Sequence, residues 1–586
     1  MRIRQTMIQI WRLLCMAATG PGSMLGFGLL ALVIVTQLIG IQIQLRMVQW
    51  SADFYNALQK LDAPTAVTQI GVFAALAGGS AASYLVGRYT RKALQIRWRR
   101  RLSQQFLECW TANKALWLLH PSLAPPADGA AAPIDNPDQR IAEDCNLFVG
   151  FILGSDDGAR SGVLDFVMSL VGLVSYVLLL WQLATFALSF SLFGFAIEIP
   201  RYMVWAAPLY VAVGTALTHL LGRQLSGLLA EEQKREADFR SGLVHVREHA
   251  AGIAMNGGEV AERRLLAGKF AAVADIWHRV IRREFIYGLF HRPYFQTVLQ
   301  IPKFIALPAF LAGKVTLGGL MQVAAAFQQV VTTISWFIFN YKFISDLVAT
   351  TRRLQRFLDA TAAVAPDARG PSRRVRGDDT LALRDVVLRA PDGRELLDIP
   401  ALWVRKGESV WLSGASGLGK STLLKAIAGM WPYGAGEIGL PRGRLHVMPQ
   451  QVYLPLDTLR AAAAYPRSLD EVPPGEVERL LRAVGLGARL DLDAGHAAGL
   501  SVGEQQRLAL VRLMLARPDW AFLDEATSAL DADTERRMLA LLRTELPDVT
   551  LVMVAHRASA GLDGLRRIVL GEGAAAAPGA PVTATA

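Results

Sequence analysis

One octapeptide decides half of the fold: Gly414-Ala415-Ser416-Gly417-Leu418-Gly419-Lys420-Ser421, which fits the pattern G-x-x-x-x-G-K-[ST]. An apolar stretch precedes it and a helical run beginning at Thr422 follows it, which is the context that a phosphate-binding loop requires. Glycines let backbone N–H groups point at a phosphate, Lys420 supplies positive charge, and the Ser421 hydroxyl is a ligand for Mg²⁺. A chance glycine-rich turn is the weaker interpretation. Residues 414–422 are therefore predicted to bind a nucleotide.

A second stretch suits the same site. Trp520-Ala-Phe-Leu-Asp524-Glu525 is an apolar strand that ends in two carboxylates. Asp524 is predicted to ligate Mg²⁺, and Glu525 is predicted to act as the base that polarises an attacking water. Alone, an apolar run before Asp-Glu is often only a strand end. Together with the octapeptide it predicts an α/β P-loop domain.

A third motif lies between them: Leu500-Ser501-Val502-Gly503-Glu504-Gln505-Gln506. It resembles the L-S-G-G-Q-Q signature of the ATP-binding cassette (ABC) family, with Val502 and Glu504 as departures. Three more family motifs follow the family's order within about 150 residues, which leaves little room for coincidence. By this resemblance, Gln450 of Met448-Pro449-Gln450 is the Q-loop glutamine of the family. Asp531 of Ser528-Ala529-Leu530-Asp531 belongs to its D-loop, and His556 of Val554-Ala555-His556-Arg557 is its switch histidine.

The resemblance implies what these residues do. Two cassettes of the family sandwich two ATP molecules, so Ser501 and Gly503 would face the P-loop of a second copy, and the chain would work as a homodimer. His556 would hold the γ-phosphate and the attacking water, Asp531 would lie at the nucleotide interface, and Gln450 would ligate Mg²⁺ and connect the nucleotide to the membrane part. The family commonly stacks an aromatic ring on adenine, yet residues 386–397 contain none. The resemblance therefore identifies no aromatic residue that would stack on adenine.

Composition indicates a membrane-embedded part. Of the 586 residues, 52% are hydrophobic and only 19% are charged, which is too apolar for an ordinary soluble chain. Charge-poor segments long enough to cross a bilayer predict six helices. Their approximate bounds are 24–45, 66–87, 162–183, 203–222, 294–312 and 319–340.

The distribution of basic residues predicts the orientation. The net charge is +11, and a basic cluster directly follows the second predicted span, whereas the loops after spans one, three and five hold few basic residues. The positive-inside rule then places both termini in the cytoplasm. Topology explains the positive charge, so nucleic-acid binding is the weaker interpretation. The cluster comprises Arg88, Arg91, Lys92, Arg97, Arg99, Arg100 and Arg101.

The predicted organisation has two unlike domains. A six-helix transmembrane domain occupies residues 1–358, a linker rich in Pro, Gly and Arg occupies 359–379, and the cassette occupies 380–570. The last residues, 571–586, are rich in Ala, Pro, Gly and Thr and are predicted to be disordered. Cys15, Cys109 and Cys145 lack the spacing of a metal site or a disulfide framework, so they are predicted to be reduced thiols.

The transmembrane half resembles subfamily D of the ABC transporters. The matching segments are Trp50-Ser-Ala-Asp-Phe-Tyr-Asn56, Leu94-Gln-Ile-Arg-Trp98, Asn136-Pro-Asp-Gln-Arg140-Ile-Ala-Glu-Asp144 and Ala251-Gly-Ile-Ala-Met-Asn256-Gly-Gly-Glu259. This group comprises peroxisomal fatty-acyl transporters and bacterial BacA-like proteins that move peptides, cobalamin or other hydrophilic solutes. The resemblance implies a half-transporter of the bacterial inner membrane that is driven by ATP.

Polar residues within the predicted spans favour a hydrophilic cargo. Lys303, with Gln296 and Gln300, shares one helical face of span five. Span six carries Gln322, Gln329, Thr333 and Asn340. They are predicted to line a translocation cavity or, equally, to bond neighbouring helices. A fatty-acyl cargo and a non-transporting ABC ATPase are the alternatives, and the direction of transport stays open.

Overall fold

The computed structural model describes residues 2–123, 136–154, 161–192, 195–222, 224–339, 342–364, 370–490, 499–555 and 565–571. The chain divides into two compact units. The helical unit comprises residues 1–104 and 138–355, and the cassette unit comprises residues 105–137 and 356–586. A part of the chain between spans two and three thus belongs with the cassette.

Long helices form the helical unit and continue at two points into the cassette unit. Within the described ranges, five of them are long and apolar enough to cross a membrane, and residues 300–311 form a shorter apolar stretch within a sixth, so the predicted helical transmembrane fold is confirmed. The helices before the cassette strands are α1 (Arg2–Ala18), α2 (Ser23–Gln59), α3 (Ala63–Thr111), α4 (Ala115–Leu118), α5 (Pro137–Gln139), α6 (Cys145–Leu153), α7 (Val163–Leu183), α8 (Tyr202–Gly222), α9 (Leu225–Glu248), α10 (Ala250–Met255), α11 (Glu259–Leu311), α12 (Leu317–Phe339) and α13 (Lys342–Ala362).

Two glycines separate α1 from α2, although the sequence is free of charge across this point. Gly20 and Gly22 have φ values of 128° and 72°, which side chains rarely tolerate. The guanidinium of Arg97 donates to the Gly22 carbonyl at 2.6 Å, and a Cβ on Gly22 would lie 2.6 Å from that group. The basic cluster after span two therefore holds the break in place.

The motif at the end of span one joins the first and last membrane helices. The Asn56 side-chain oxygen accepts from the Gly318 N–H at 3.0 Å, and Gln59 accepts from the Leu317 N–H at 3.0 Å. Both donors are free N–H groups of the first turn of α12. A Cβ on Gly318 would lie 2.1 Å from the Ala52 carbonyl oxygen, so only glycine permits this approach.

A buried carboxylate explains the motif at 136–144. Asp144 is 1% exposed, accepts from Arg140 at 2.9 Å, and is held by Arg353 of α13 through two bonds of 2.6 and 2.8 Å. Such paired, bidentate contacts are required when a charge leaves water. The motif thus fastens α6 to the helix that follows span six.

The cassette unit contains two sheets. A parallel five-stranded sheet has the order β11-β6-β10-β9-β8, and a second sheet has the order β3-β7-β4-β5, in which β3 and β7 are parallel and the other pairs antiparallel. The strands are β3 (Ser372–Val375), β4 (Thr380–Arg389), β5 (Glu395–Arg405), β6 (Val410–Ser413), β7 (Gly434–Leu440), β8 (Leu445–Met448), β9 (Trp520–Asp524), β10 (Thr550–Val554) and β11 (Arg566–Val569).

Helix α14 follows β6 after residues 414–419 and packs against the five-stranded sheet. Buried Trp520, Phe522, Val552 and Val554 of the central strands pack with Leu423 of α14 in one hydrophobic cluster. The predicted α/β P-loop fold is thereby confirmed. The helices are α14 (Lys420–Ile427), α15 (Leu459–Ala464), α16 (Glu476–Ala483), α17 (Val502–Ala516) and α18 (Ala532–Glu545).

The structure adds details to the predicted organisation. The segment 359–379, predicted as a linker, holds the end of α13 and strand β3, which pairs with β7. A hairpin of β1 (Leu188–Leu192) and β2 (Phe195–Ile199) joins spans three and four. The predicted disordered tail lies outside the described residues except for Gly571.

Candidate functional site

The P-loop connects the carboxyl end of β6 to the first turn of α14. Gly417 and Gly419 have φ values of 79° and 95°, which gives the loop its turn around the helix N-terminus. The Lys420 ammonium donates to the carbonyl oxygens of Gly414 and Ala415, each at 2.8 Å, and Lys420 is only 6% exposed. The lysine therefore already lies against the loop, and a bound phosphate would replace these carbonyls as the partner of the ammonium.

Ser421 and Asp524 meet at the ends of adjacent elements. The Ser421 hydroxyl donates to the Asp524 carboxylate at 2.9 Å, across more than a hundred residues of sequence. Burial raises the pKa of Asp524, and neighbouring Glu525 raises it further, while the Ser421 hydrogen bond lowers it. Hydroxyl and carboxylate oxygens are ligands that Mg²⁺ prefers, so this pair fits the predicted metal site.

Glu525 and Gln450 form a second polar pair beside the first. The Gln450 amide donates to the Glu525 carboxylate at 2.9 Å. Glu525 has a φ of 47°, and its N–H donates to the Val554 carbonyl at 3.0 Å, so β10 holds the strained backbone. The two predicted residues thus lie next to each other at the carboxyl end of the central strands.

The signature residues cap α17. The Ser501 hydroxyl accepts from the Glu504 N–H at 3.3 Å, and the Glu504 carboxylate accepts from the Ser501 N–H at 2.9 Å, which is a capping box. The Ser501 hydroxyl donates to the same carboxylate. The Ser501 backbone hydrogen bond lowers the pKa of Glu504. Glu504 therefore has a structural reason to stand where the family signature has another residue.

The signature helix also contacts the segment after Glu525. Gln506 donates to the Glu525 carbonyl at 3.3 Å and accepts from the Ala529 N–H at 3.0 Å. A Cβ on Gly503 would lie 3.2 Å from the Ala529 carbonyl oxygen, so a glycine fits this close approach. Asp531 caps α18 by accepting from the Thr534 N–H at 2.9 Å.

The predicted site residues thus form two groups within one chain. Lys420, Ser421, Asp524, Glu525 and Gln450 gather at the P-loop. Ser501, Gly503 and Asp531 lie on the signature side, and no hydrogen bond among the described residues joins them to the P-loop. His556 lies outside the described residues.

Sequence reasoning missed the segment between spans two and three. The Trp117 indole donates to the Met430 carbonyl at 2.6 Å, and Lys425 of α14 lies 5.2 Å from the centre of the Trp117 ring. Lys114 donates to the Ala428 carbonyl. All of these residues belong to the cassette unit, and the contacts lie on α14 and on the residues directly after its end. Their signal was a lysine and a tryptophan just after the basic cluster.

Comparison with known proteins identifies both halves. The family described as ABC transporter transmembrane region 2 matches residues 19–308, and the family described as ABC transporter matches residues 397–528. The inner membrane ABC transporter ATP-binding protein YddA of Escherichia coli (strain K12) is 33% identical over 90% of this chain and 91% of its own length. The chain belongs to the ABC transporter family.

Further relatives agree with the predicted subfamily of ABC transporters. ABC transporter D family member 2, chloroplastic, of Arabidopsis thaliana is 27% identical over 86% of this chain and 78% of its own length. A bacterial Atm1-family ABC exporter with ATP bound shares the fold, with a TM-score of 0.71, 93% coverage of each chain and 19% identity.

The predictions of family, enzyme class and location are therefore confirmed. The chain is an inner-membrane ABC transporter whose cassette binds ATP and couples its hydrolysis to transport. The half-transporter ABC exporter fold implies dimerisation.

Proposed function

We propose that the chain forms a homodimer that uses ATP hydrolysis to move a hydrophilic solute, such as a peptide or a cobalamin-like compound, across the inner membrane. One observation carries the choice of cargo. A cavity of about 750 Å³ lies among α2, α3, α7 and α12 of the helical unit. Amide and hydroxyl side chains contribute to its lining, including Gln37, Gln44, Gln329 and Thr333. A lining of this kind favours a solute that makes hydrogen bonds.

The homodimer is supported by apolar side chains that one copy leaves uncovered. The part of α11 that precedes its apolar stretch exposes aromatic side chains to about half or more of their surface: Phe270 at 55%, Trp277 at 49% and Phe285 at 67%. Contiguous exposed apolar groups outside a bilayer commonly mark an interface. A second copy would also bring Ser501 and Gly503 to the P-loop, which completes each ATP site.

The hydrolytic step follows from the paired side chains. Lys420 would exchange the loop carbonyls for the β- and γ-phosphates, and Ser421 and Asp524 would hold Mg²⁺. Mg²⁺ supplies charge neutralisation at the phosphate oxygens when bound. Glu525 accepts a proton from the attacking water, and Gln450 orients the Glu525 carboxylate by the bond seen at 2.9 Å. His556 is assigned to the γ-phosphate by family resemblance alone.

A fatty-acyl cargo is the second candidate, and one feature favours it. A groove of about 490 Å³ between α8 and α11 is mainly apolar, with Leu209, Val213, Leu217 and Leu289 among its lining. Lipid tails also fill such grooves between membrane helices, so the groove gives weaker support than the polar cavity. A non-transporting ATPase would need no apolar helices of this length.

Lys303 has no part in this proposal. Its ammonium donates to the Gln300 side chain at 3.2 Å on the same helix. Neither residue lines the polar cavity, whereas Gln329 and Thr333 of span six do. Asn340 lies outside the described residues. The hydrogen bond to Gln300 lies within α11, so Lys303 neither lines this cavity nor is seen to bond a neighbouring helix among the contacts of the described residues.

The test measures ATP hydrolysis by the purified chain in lipid with a panel of peptides, cobalamin and acyl-CoA. We expect a hydrophilic solute to stimulate turnover, and Glu525→Gln to lower both basal and stimulated rates by about 10²-fold or more, because it removes the general base. Glu471→Gln, an exposed residue outside the site, is the matched control. Stimulation by acyl-CoA alone would favour the second candidate, and turnover that survives Glu525→Gln would contradict the assigned base.

A further inference from the structure

The P-loop accounts for the phosphates of ATP and leaves its base without a partner. Lys420 and Ser421 offer a positive charge and a hydroxyl, which suit phosphates and Mg²⁺ but do not recognise a purine ring. A nucleobase gains binding free energy by stacking its face on an aromatic side chain. Residues 386–397 contain no aromatic side chain. An aromatic ring for the base would therefore have to come from another element that reaches the same place.

The carboxylates of the site indicate which way the base leaves the P-loop. Asp524 ends β9 and Gln450 follows β8, and both strands lie on the same side of β6 in the sheet. The γ-phosphate must face Glu525 if this residue acts on the attacking water. The base is at the other end of ATP, so it leaves the P-loop away from these carboxylates. This direction rests on the hydrolytic roles proposed for Glu525 and Gln450.

The hairpin of β4 and β5 packs against the P-loop at another point. A Cβ on Gly419 would lie 3.3 Å from the Leu396 Cβ and 3.5 Å from the Leu397 Cβ. Leu396 follows Glu395, and Glu395 pairs with Arg389 at the end of β4. Paired residues on neighbouring strands lie about 5 Å apart. The end of β4 is therefore only about one strand spacing from the residue that touches the P-loop.

Trp431 brings an aromatic ring to this end of β4. Its indole N–H donates to the Arg389 carbonyl at 2.9 Å, and the Arg389 N–H donates to the Tyr433 carbonyl at 3.2 Å. The Tyr433 ring meets the Trp431 ring edge-on, with 6.0 Å between ring centres and 76° between ring planes. Trp431 and Leu418 of the P-loop pack against the same hydrophobic cluster, and both stay partly exposed. The ring is thus fixed beside the hairpin and keeps accessible surface.

We propose that Trp431 provides the aromatic surface on which the base of ATP stacks. The indole is held before ATP arrives, so the stack costs little conformational entropy. Every base has a π face, so a guanine nucleotide should gain from Trp431 as much as an adenine nucleotide does. The competing role is purely structural, in which Trp431 only fastens the end of β4 to the segment after α14.

The test separates the base from the phosphates. Calorimetric titrations with Mg²⁺ use the full chain in lipid nanodiscs and three ligands: the non-hydrolysable ATP analogue AMP-PNP, its guanine counterpart GMP-PNP, and tripolyphosphate, which has no base. The variants are Trp431→Ala and the conservative Trp431→Phe. Trp403→Ala is the matched control, because Trp403 is a partly buried tryptophan near the other end of β5.

We expect Trp431→Ala to raise the Kd for AMP-PNP and for GMP-PNP by about tenfold or more, which is the loss of one base–aromatic stack. The Kd for tripolyphosphate should stay unchanged. Trp431→Phe should recover most of the affinity, and Trp403→Ala should bind all three ligands normally. Equal weakening of tripolyphosphate would show the structural role instead, and unchanged binding of AMP-PNP to Trp431→Ala would overturn the proposal.

A fluorescence measurement tests the stack even if Trp431→Ala fails to fold. AMP-PNP should quench part of the tryptophan fluorescence of the wild type, and tripolyphosphate should not. Trp431→Phe should bind AMP-PNP and lose this quench. A quench that persists in Trp431→Phe, or that tripolyphosphate also causes, would overturn the proposal. Neither measurement needs hydrolysis, so a failure of Glu525 as the base would leave both results unchanged and would count only against the proposed function.

Discussion

The two units of the molecule treat their polar groups differently. In the cassette, the functional side chains already have partners: Lys420 has loop carbonyls, Ser421 has Asp524, and Gln450 has Glu525. In the membrane cavity, the Gln37 side-chain oxygen has no hydrogen-bond partner within the part of the chain that the structure describes. The ATP site is therefore organised before its ligand arrives, so binding exchanges existing bonds, whereas the cavity leaves hydrogen-bonding capacity for its occupant.

Replacing the P-loop lysine should have the largest effect on ATP binding. It tests whether the Lys420 ammonium exchanges the loop carbonyls for the phosphates of ATP. Lys420→Met removes the ammonium that moves from two carbonyls to the phosphates. We expect the Kd for ATP to rise by roughly 30-fold or more, since losing a buried charge contact costs about 2 kcal/mol or more. Equilibrium binding of a fluorescent ATP analogue measures it. Lys406→Met, on the exposed Asp519 pair, is the control and should bind normally.

Removing the buried carboxylate of Asp144 tests whether the helical unit depends on paired charges as strongly as the ATP site does. Asp144→Ala leaves Arg140 and Arg353 without this partner, and we expect the free energy of unfolding to fall by about 3–5 kcal/mol. Thermal unfolding of the full chain measures the change. Exposed Asp138→Ala should have little effect, and adding Arg353→Met to Asp144→Ala should restore part of the loss. Equal melting of the two single variants would refute the assigned role.

The segment between spans two and three belongs to the cassette unit, so its contacts should stabilise that unit. Trp117→Ala removes the bond to the Met430 carbonyl and the ring beside Lys425. We expect hydrogen exchange of the amides at 428–431 and 433 to speed up about tenfold, which corresponds to about 1.4 kcal/mol of local stability. Leu116→Ala, a half-exposed neighbour, is the control. Unchanged exchange in Trp117→Ala would mean that the contact carries no local stability.

The smallest effect concerns the pH dependence of the metal-free cassette. Burial raises the pKa of Asp524, so the folded chain binds its proton more tightly than the unfolded chain does. Stability from this group is therefore present at low pH and is lost as the pH rises through the raised pKa. Asp524→Asn cannot ionise, so it should melt a few degrees above the wild type at pH 7.5 and about level with it at pH 4.

These melting curves need a chelator and no nucleotide, because Mg²⁺ favours the charged carboxylate. The exposed Asp533→Asn on α18 is the control and should give no gap that grows with pH. A gap for Asp524→Asn that shrinks as the pH rises would contradict the sign of the pKa shift.

How much could be predicted from sequence depended on the range of the contacts. The P-loop and the strand ending at Asp524 and Glu525 are local patterns, so the nucleotide-binding fold and family could be predicted. The pairing of Gln450 with Glu525 crosses 75 residues and was not predicted, because the family resemblance assigned Gln450 only to Mg²⁺ and to the connection with the membrane part. The polar cavity draws on four helices, and the periodicity of one helix could not show that Gln329 faces it while Lys303 does not.

Helix α3 continues span two into the cassette unit, so the cassette cannot be separated by a single cut after span six. Phe106 and Phe357 stack at 5.1 Å within the cassette unit, and both are almost completely buried. The Tyr433 hydroxyl donates to the Leu123 carbonyl within the same unit. A fragment that starts at residue 356 would lose Phe106, Trp117 and Leu123 together and would expose the aromatic surface they cover. An autonomous cassette would therefore need residues 105–123 supplied as a second peptide or joined by a designed linker.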